Sequence, residues 1–80
     1  MITANLLLNN IENVNKFVSI MGEKNFEIDL VSGKYLVNAK SIMGVLSLDL
    51  TQPVTVNAYT EDENFVDEIK DYIIEEKSGN

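Results

Sequence analysis

Few side chains in this sequence can carry covalent chemistry. The 80 residues contain no histidine and no cysteine, which excludes a thiolate nucleophile, an imidazole base, phosphohistidine, a Cys/His zinc site and a Ser-His-Asp triad. Carboxylates, lysines, hydroxyls and amides remain. Among the hydroxyls, Ser41 in Lys40-Ser41-Ile42-Met43-Gly44 opens a short apolar segment. A serine there can act simply as a helix cap, satisfying an otherwise orphan amide at about 1 kcal/mol. A phosphate on the same oxygen would add about −1.5 to −2 charges beside free amides, with Lys40 adjacent.

The carboxylates make weaker candidates. Glu27 and Asp29 share the solvent side of an alternating strand, and Asp62 and Glu63 read as part of a helix cap. Neither pair implies a concave site able to tune a pKa. Glu12 falls in the first turn of a predicted helix, where a negative charge suits the dipole without any further role. No glycine-rich phosphate loop is present, so the chain is expected not to be an enzyme, and no cofactor or metal is called for.

Charge narrows the class of partner. Thirteen acids stand against six lysines with no arginine, a net charge of −7, which disfavours direct nucleic-acid binding. Eight of those acids lie in residues 61–80, and the first 60 residues are nearly neutral. No stretch approaches the ~18–20 apolar residues of a membrane span, and no basic leader precedes the first apolar run. A cytoplasmic protein without membrane insertion, folding as one domain over residues 1–80, is the expectation. Such a short domain buries about 60–65% of its unfolded surface, so the core must form without disulfides.

The elements that position Ser41 follow from hydrophobic period. Ile2, Ala4, Leu6 and Leu8 alternate as a strand. Asn10 is placed to cap a helix over residues 11–22, with Ile11, Val14, Phe17, Val18 and Met21 at helical spacing and Gly22 at the stop. Residues 26–31 and 34–38 alternate on either side of Ser32-Gly33 and predict a hairpin, with Tyr35, Val37 and Ala39 on one face. Residues 41–48 are apolar on more than one side and predict a short helix that needs tertiary support. Val54, Val56 and Ala58 follow Pro53 as a fourth strand. Thr60-Glu61-Asp62-Glu63 matches a capping box and predicts a final acidic helix over residues 61–76. Its apolar stripe is Phe65, Val66, Ile69 and Ile73, and residues 77–80 are expected to fray. The order is β-α-β-β-α-β-α, an α+β two-layer sandwich. Its helices cover one sheet face and leave Asn5, Glu27, Asp29, Asn38 and Asn57 on the other.

Residues 37–48, Val-Asn-Ala-Lys-Ser-Ile-Met-Gly-Val-Leu-Ser-Leu, resemble the regulatory-serine segment of HPr, the phosphocarrier of the bacterial sugar phosphotransferase system. The element order resembles that of the same family over essentially the whole chain. The resemblance implies an antiparallel sheet of order 1-4-2-3 under three helices. It also implies two modifiable positions, a histidine at the start of helix one and a serine at the start of helix two. Counting back from Phe26, the family motif G-I-H-A-R-P-A falls on residues 10–16. Glu12 then stands in place of the histidine, Val14 in place of the arginine and Asn15 in place of the proline.

Histidine lost and serine kept is the pattern of the catabolite-repression HPr paralogue. The resemblance therefore implies a regulatory protein unable to carry phosphohistidine. Ser41 would be the target of an HPr kinase/phosphorylase-like kinase. Lys40, Ile42, Met43, Val45 and Leu46 would form a contact surface for a transcriptional regulator or a phosphotransferase-system protein, with the chain a monomer or weak homodimer. The alternative is an unmodified HPr-fold interaction module docking on phosphotransferase components, in which Ser41 is only a cap.

Overall fold

The computed structural model describes residues 1–74. Four strands, β1 (Ile2–Leu6), β2 (Ile28–Ser32), β3 (Tyr35–Asn38) and β4 (Val54–Ala58), form one antiparallel sheet in the order β1-β4-β2-β3. Three helices, α1 (Ile11–Gly22), α2 (Ile42–Leu46) and α3 (Asn64–Ile69), are interspersed in the expected order, and a single 3-10 turn, Lys70–Tyr72, follows α3.

Alternation decides which strand residues meet the helices. Leu6, Ile28, Leu30, Val54, Val56 and Ala58 are buried from the sheet, and Val14, Phe17, Met21, Val45, Phe65 and Ile69 are buried from the helices, in one cluster. No polar or charged residue among those described is buried. The opposite face is polar, as the alternation predicts. On it the Thr3 hydroxyl donates to Asn57 Oδ1 (2.9 Å), the Thr55 hydroxyl to Asn5 Oδ1 (2.9 Å) and the Tyr59 hydroxyl to Asp29 Oδ2 (3.3 Å).

Local signals explain the well-placed boundaries. Asn10 Oδ1 accepts from the Asn13 amide at 2.8 Å and caps α1. Asn9 before it has φ +40°, a left-handed conformation that asparagine tolerates better than most residues. Gly33 takes φ +59° in the hairpin, where a side chain would be strained. Gly22, by contrast, ends α1 without positive φ, the cap position being Glu23 at φ −82°.

The predicted final helix is corrected at both ends. Its capping box does not form. The Thr60 hydroxyl accepts from the Asp62 amide and Asp62 Oδ1 from the Asn64 amide, a local turn that delays α3 until Asn64, and Glu63 at the cap makes no side-chain bond. At the other end Ile73 is extended (φ −72°, ψ 132°) and bridges to Leu6. The Leu7 amide donates to Tyr72 O (2.9 Å) and the Ile74 amide to Asn5 O (3.0 Å). Pairing along β1 thus replaces the last helical turns, and the predicted helix beyond residue 74 and the fraying end lie outside the described residues. Tyr35 shares the inner face with Val37, as the alternation predicts, and at the hairpin end, opposite Ser32, it is 70% exposed.

Candidate functional site

Ser41 stands where β3 gives way to α2. Its amide donates to Asn38 O (3.0 Å), and the Asn38 side chain accepts from the Lys40 amide (2.9 Å), which folds the chain back from the strand. Extended backbone at Ser41 (φ −101°, ψ 110°) turns its hydroxyl onto the helix, where Oγ accepts from the Gly44 amide at 3.2 Å. Ser41 O accepts from the Val45 amide at 3.0 Å and closes the first turn. A Cβ on Gly44 would lie 3.4 Å from both Ser41 Oγ and Val37 Cβ, so the glycine permits close approach of α2 to β3. Ser41 itself is half-buried.

The residues around Ser41 divide by environment. Met43 is 76% exposed and Leu46 39%, Ile42 is half-buried against the core, and Val45 is fully buried. Val45 therefore belongs to the core and not to a contact surface, because five helical residues have one inner side and Val45 occupies it. The Lys40 ammonium donates to Lys24 O at 2.8 Å in a partly buried position just past α1, which commits one of its three donors within the fold. Ile11, 63% exposed at the start of α1, adds an apolar side chain on a helix that packs against α2. No residue-type signal distinguished it from the buried members of the α1 stripe.

Glu12 lies in the first turn of α1, with Lys16 Nζ 3.6 Å from its carboxylate. Their four-residue spacing puts both side chains on one face of the helix. Both side chains are well exposed, where such pairs contribute little. Val14 is fully buried, a place no phosphate-contacting arginine can occupy. Burial thus speaks against the register that pairs Val14 with the motif's arginine and Glu12 with its histidine.

The remaining carboxylates are dispersed. Asp29 receives the Tyr59 hydroxyl, Asp62 receives the Asn64 amide, and Glu68 pairs with Lys24 between α3 and the end of α1. No helix among the described residues is long and apolar enough to cross a membrane.

Comparison with known proteins places this arrangement. The PTS-HPr family model, described as the PTS HPr component phosphorylation site, matches residues 12–75. No curated protein matches the chain in sequence. Among solved structures, HPr-C-His from Thermoanaerobacter tengcongensis superposes with a TM-score of 0.76 at 27% identity, covering 91% of each chain. The phosphocarrier protein HPr from Bacillus anthracis str. Ames superposes at 0.71 with 20% identity, covering 91% of this chain and 96% of that one, a likeness of fold alone. With the family match spanning most of its length and the 1-4-2-3 sheet in place, the chain belongs to the HPr family of the phosphotransferase system.

Proposed function

We propose that this chain is a regulatory HPr-like protein of the bacterial sugar phosphotransferase and carbon-catabolite system, phosphorylated on Ser41 and acting by protein contact through α2. The observation that carries the reading is a half-buried cap serine beside the exposed apolar side chains of Met43 and Leu46, in a chain with no histidine to accept phosphate. In the modification, Ser41 Oγ attacks the γ-phosphorus of ATP, the bond to the ADP oxygen breaks, and the hydroxyl proton passes to the kinase. The ester oxygen loses its hydrogen but keeps its position beside the Gly44 amide. Lys40 gives one of its three ammonium donors to Lys24 O, and its remaining donors, solvent or a partner are left to meet the new charge. A transcriptional regulator or a phosphotransferase-system protein is the partner class, and the cytoplasm is the compartment this system implies.

The test is intact mass after incubation with ATP and an HPr kinase/phosphorylase, with Ser41→Ala in parallel and a histidine-containing HPr as positive control. One phosphate on the wild type and none on the variant supports the reading. Phosphate on both, or on neither while the control is labelled, overturns it.

A second reading is an unmodified interaction module. It is favoured by the hydrogen bond that Ser41 Oγ already accepts from Gly44, the whole task of a structural cap. Binding to a phosphotransferase component without phosphate, lost in Met43→Asp and kept in Ser41→Ala, would select it.

A further inference from the structure

The two edges of the sheet are treated differently. Residues 72–74 pair along β1, where Leu7 and Asn5 bond Tyr72 and Ile74. β3 pairs only with β2 among the described residues. Hydrogen-bond phase fixes which groups β3 presents. The Ala39 amide donates to Ile28 O and the Tyr59 amide to Glu27 O, both at 2.9 Å. Alternation from those bonds turns Ile28, Leu30 and Ser32 toward β3, and Glu27, Asp29 and Val31 toward β4. Val37 and Tyr35, opposite Leu30 and Ser32, bond to β2, whereas Leu36, opposite Val31, directs its N–H and C=O away from the sheet. The strand carries no proline or charged residue within it, and Tyr35 and Leu36 are 70% and 64% exposed. Edge strands ordinarily carry such devices because an open edge invites another strand.

We propose that two copies of this chain associate through β3, pairing antiparallel about a two-fold axis at Leu36 so that their sheets join into one. Charge selects a second copy as the occupant. From Leu30 to Leu48 there is no acid, while Lys34 and Lys40 are present, in a chain of net charge −7. It is the longest acid-free stretch of the sequence, and along it two acidic copies can meet without facing carboxylates. The register is also self-complementary. With Leu36 opposite Leu36 of the second copy, Lys34 falls opposite Asn38, never opposite another lysine. Asn38 lies across from Asp29 in its own sheet, so Lys34 of the second copy enters the row of Asp29 two strand spacings away, about 10 Å. That distance is within reach of an extended lysine and an aspartate. Leu36 and Val31 of both copies then form one apolar strip on the otherwise polar face. Two four-residue strands make an interface well below the usual size, so association is weak and concentration-dependent.

Sedimentation velocity of the full chain from about 10 μM to about 1 mM, a range that spans weak affinities, tests the proposal. The wild type is expected to shift from monomer toward dimer across it. Leu36→Pro removes only an N–H that faces outward and leaves the β2 bonds in place, so it is expected to remain folded and monomeric throughout. Leu36→Lys sets like charges across the axis and is expected to weaken association at least about tenfold, which keeps the test decisive if the proline variant does not fold. A wild type that stays monomeric to the highest concentration overturns the proposal. So does a dimer whose affinity is unchanged in Leu36→Lys, which would place the contact elsewhere.

Discussion

Lys40 reaches back sixteen residues to Lys24. Its ammonium donates a 2.8 Å hydrogen bond to Lys24 O, tying the start of α2 to the chain leaving α1. Lys24 in turn pairs with Glu68 on α3, so two lysines join the segments around the three helices. Replacing Lys40 with Met keeps the aliphatic stem and removes a charge-assisted bond in a partly buried place. The unfolding free energy should fall by about 1 kcal/mol in urea titration. Docking through Met43 and Leu46 should be unchanged.

Ser41→Ala should cost about 1 kcal/mol, since the Gly44 amide loses its acceptor. Ser41→Asp restores an acceptor and adds a negative charge at a helix start, and should recover most of that loss. Thermal unfolding of the two variants beside the wild type checks the order Ala below Asp. It also separates the cap role from modification, which neither variant supports.

Much of this site was legible because its signals are local. The alternation in β2 and β4, the helical spacing of Val14, Phe17 and Met21, and the serine before a short apolar run all point where the structure puts them. What escaped depends on partners distant in sequence. Phe65, Ile69 and Ile73 keep helical spacing, but Ile73 leaves the helix to pair with Leu6. Thr60 to Glu63 have the residue types of a capping box, yet the hydrogen bonds of Thr60 and Asp62 close a tighter turn first. The bond from Lys40 escaped because no pattern announces a carbonyl partner sixteen residues away. Burial of Val14 likewise bears on the position of Glu12 in a way that counting along the chain does not.

Asp49 closes the turn after α2. Hydrogen bonds from the Thr51 hydroxyl (2.6 Å) and then from the Thr51 amide (3.1 Å) hold its carboxyl below the ordinary aspartate value. A depressed carboxyl stabilises the fold above its unfolded pKa, and that stabilisation is lost as pH falls through the lowered folded value. Thr51→Val removes the hydroxyl bond and keeps the amide. The Asp49 titration midpoint, followed by carboxyl carbon shifts in NMR, should rise toward the ordinary value without reaching it.

Tyr59 shows the opposite sign. The negative charge of Asp29, and then the hydrogen bond to it, raise the Tyr59 hydroxyl above the ordinary tyrosine value. Its contribution is present below the unfolded tyrosine pKa, about 10, and is lost as pH rises through the raised folded value. Asp29→Asn removes the charge, so the Tyr59 ring should titrate at lower pH than in the wild type.

Tyr72 anchors the segment that covers β1 in two ways. Its ring meets that of Phe17 edge to face, with centroids 5.8 Å apart, and its carbonyl accepts from the Leu7 amide. Phe17 is fully buried in α1, so the ring contact fixes where the carbonyl can be. Tyr72→Ala keeps the carbonyl but removes the contact that places it. The loss should be about 2 kcal/mol, combining an aromatic pair with its apolar burial, and Tyr72→Phe should restore nearly all of it. Hydrogen exchange distinguishes this from general weakening. In Tyr72→Ala the Leu7 amide should exchange faster by a larger factor than the Val56 amide at the centre of the sheet, because the β1 cover opens locally before the core does. Equal acceleration at both positions would show that the ring stabilises only the fold as a whole and does not hold the strand edge closed.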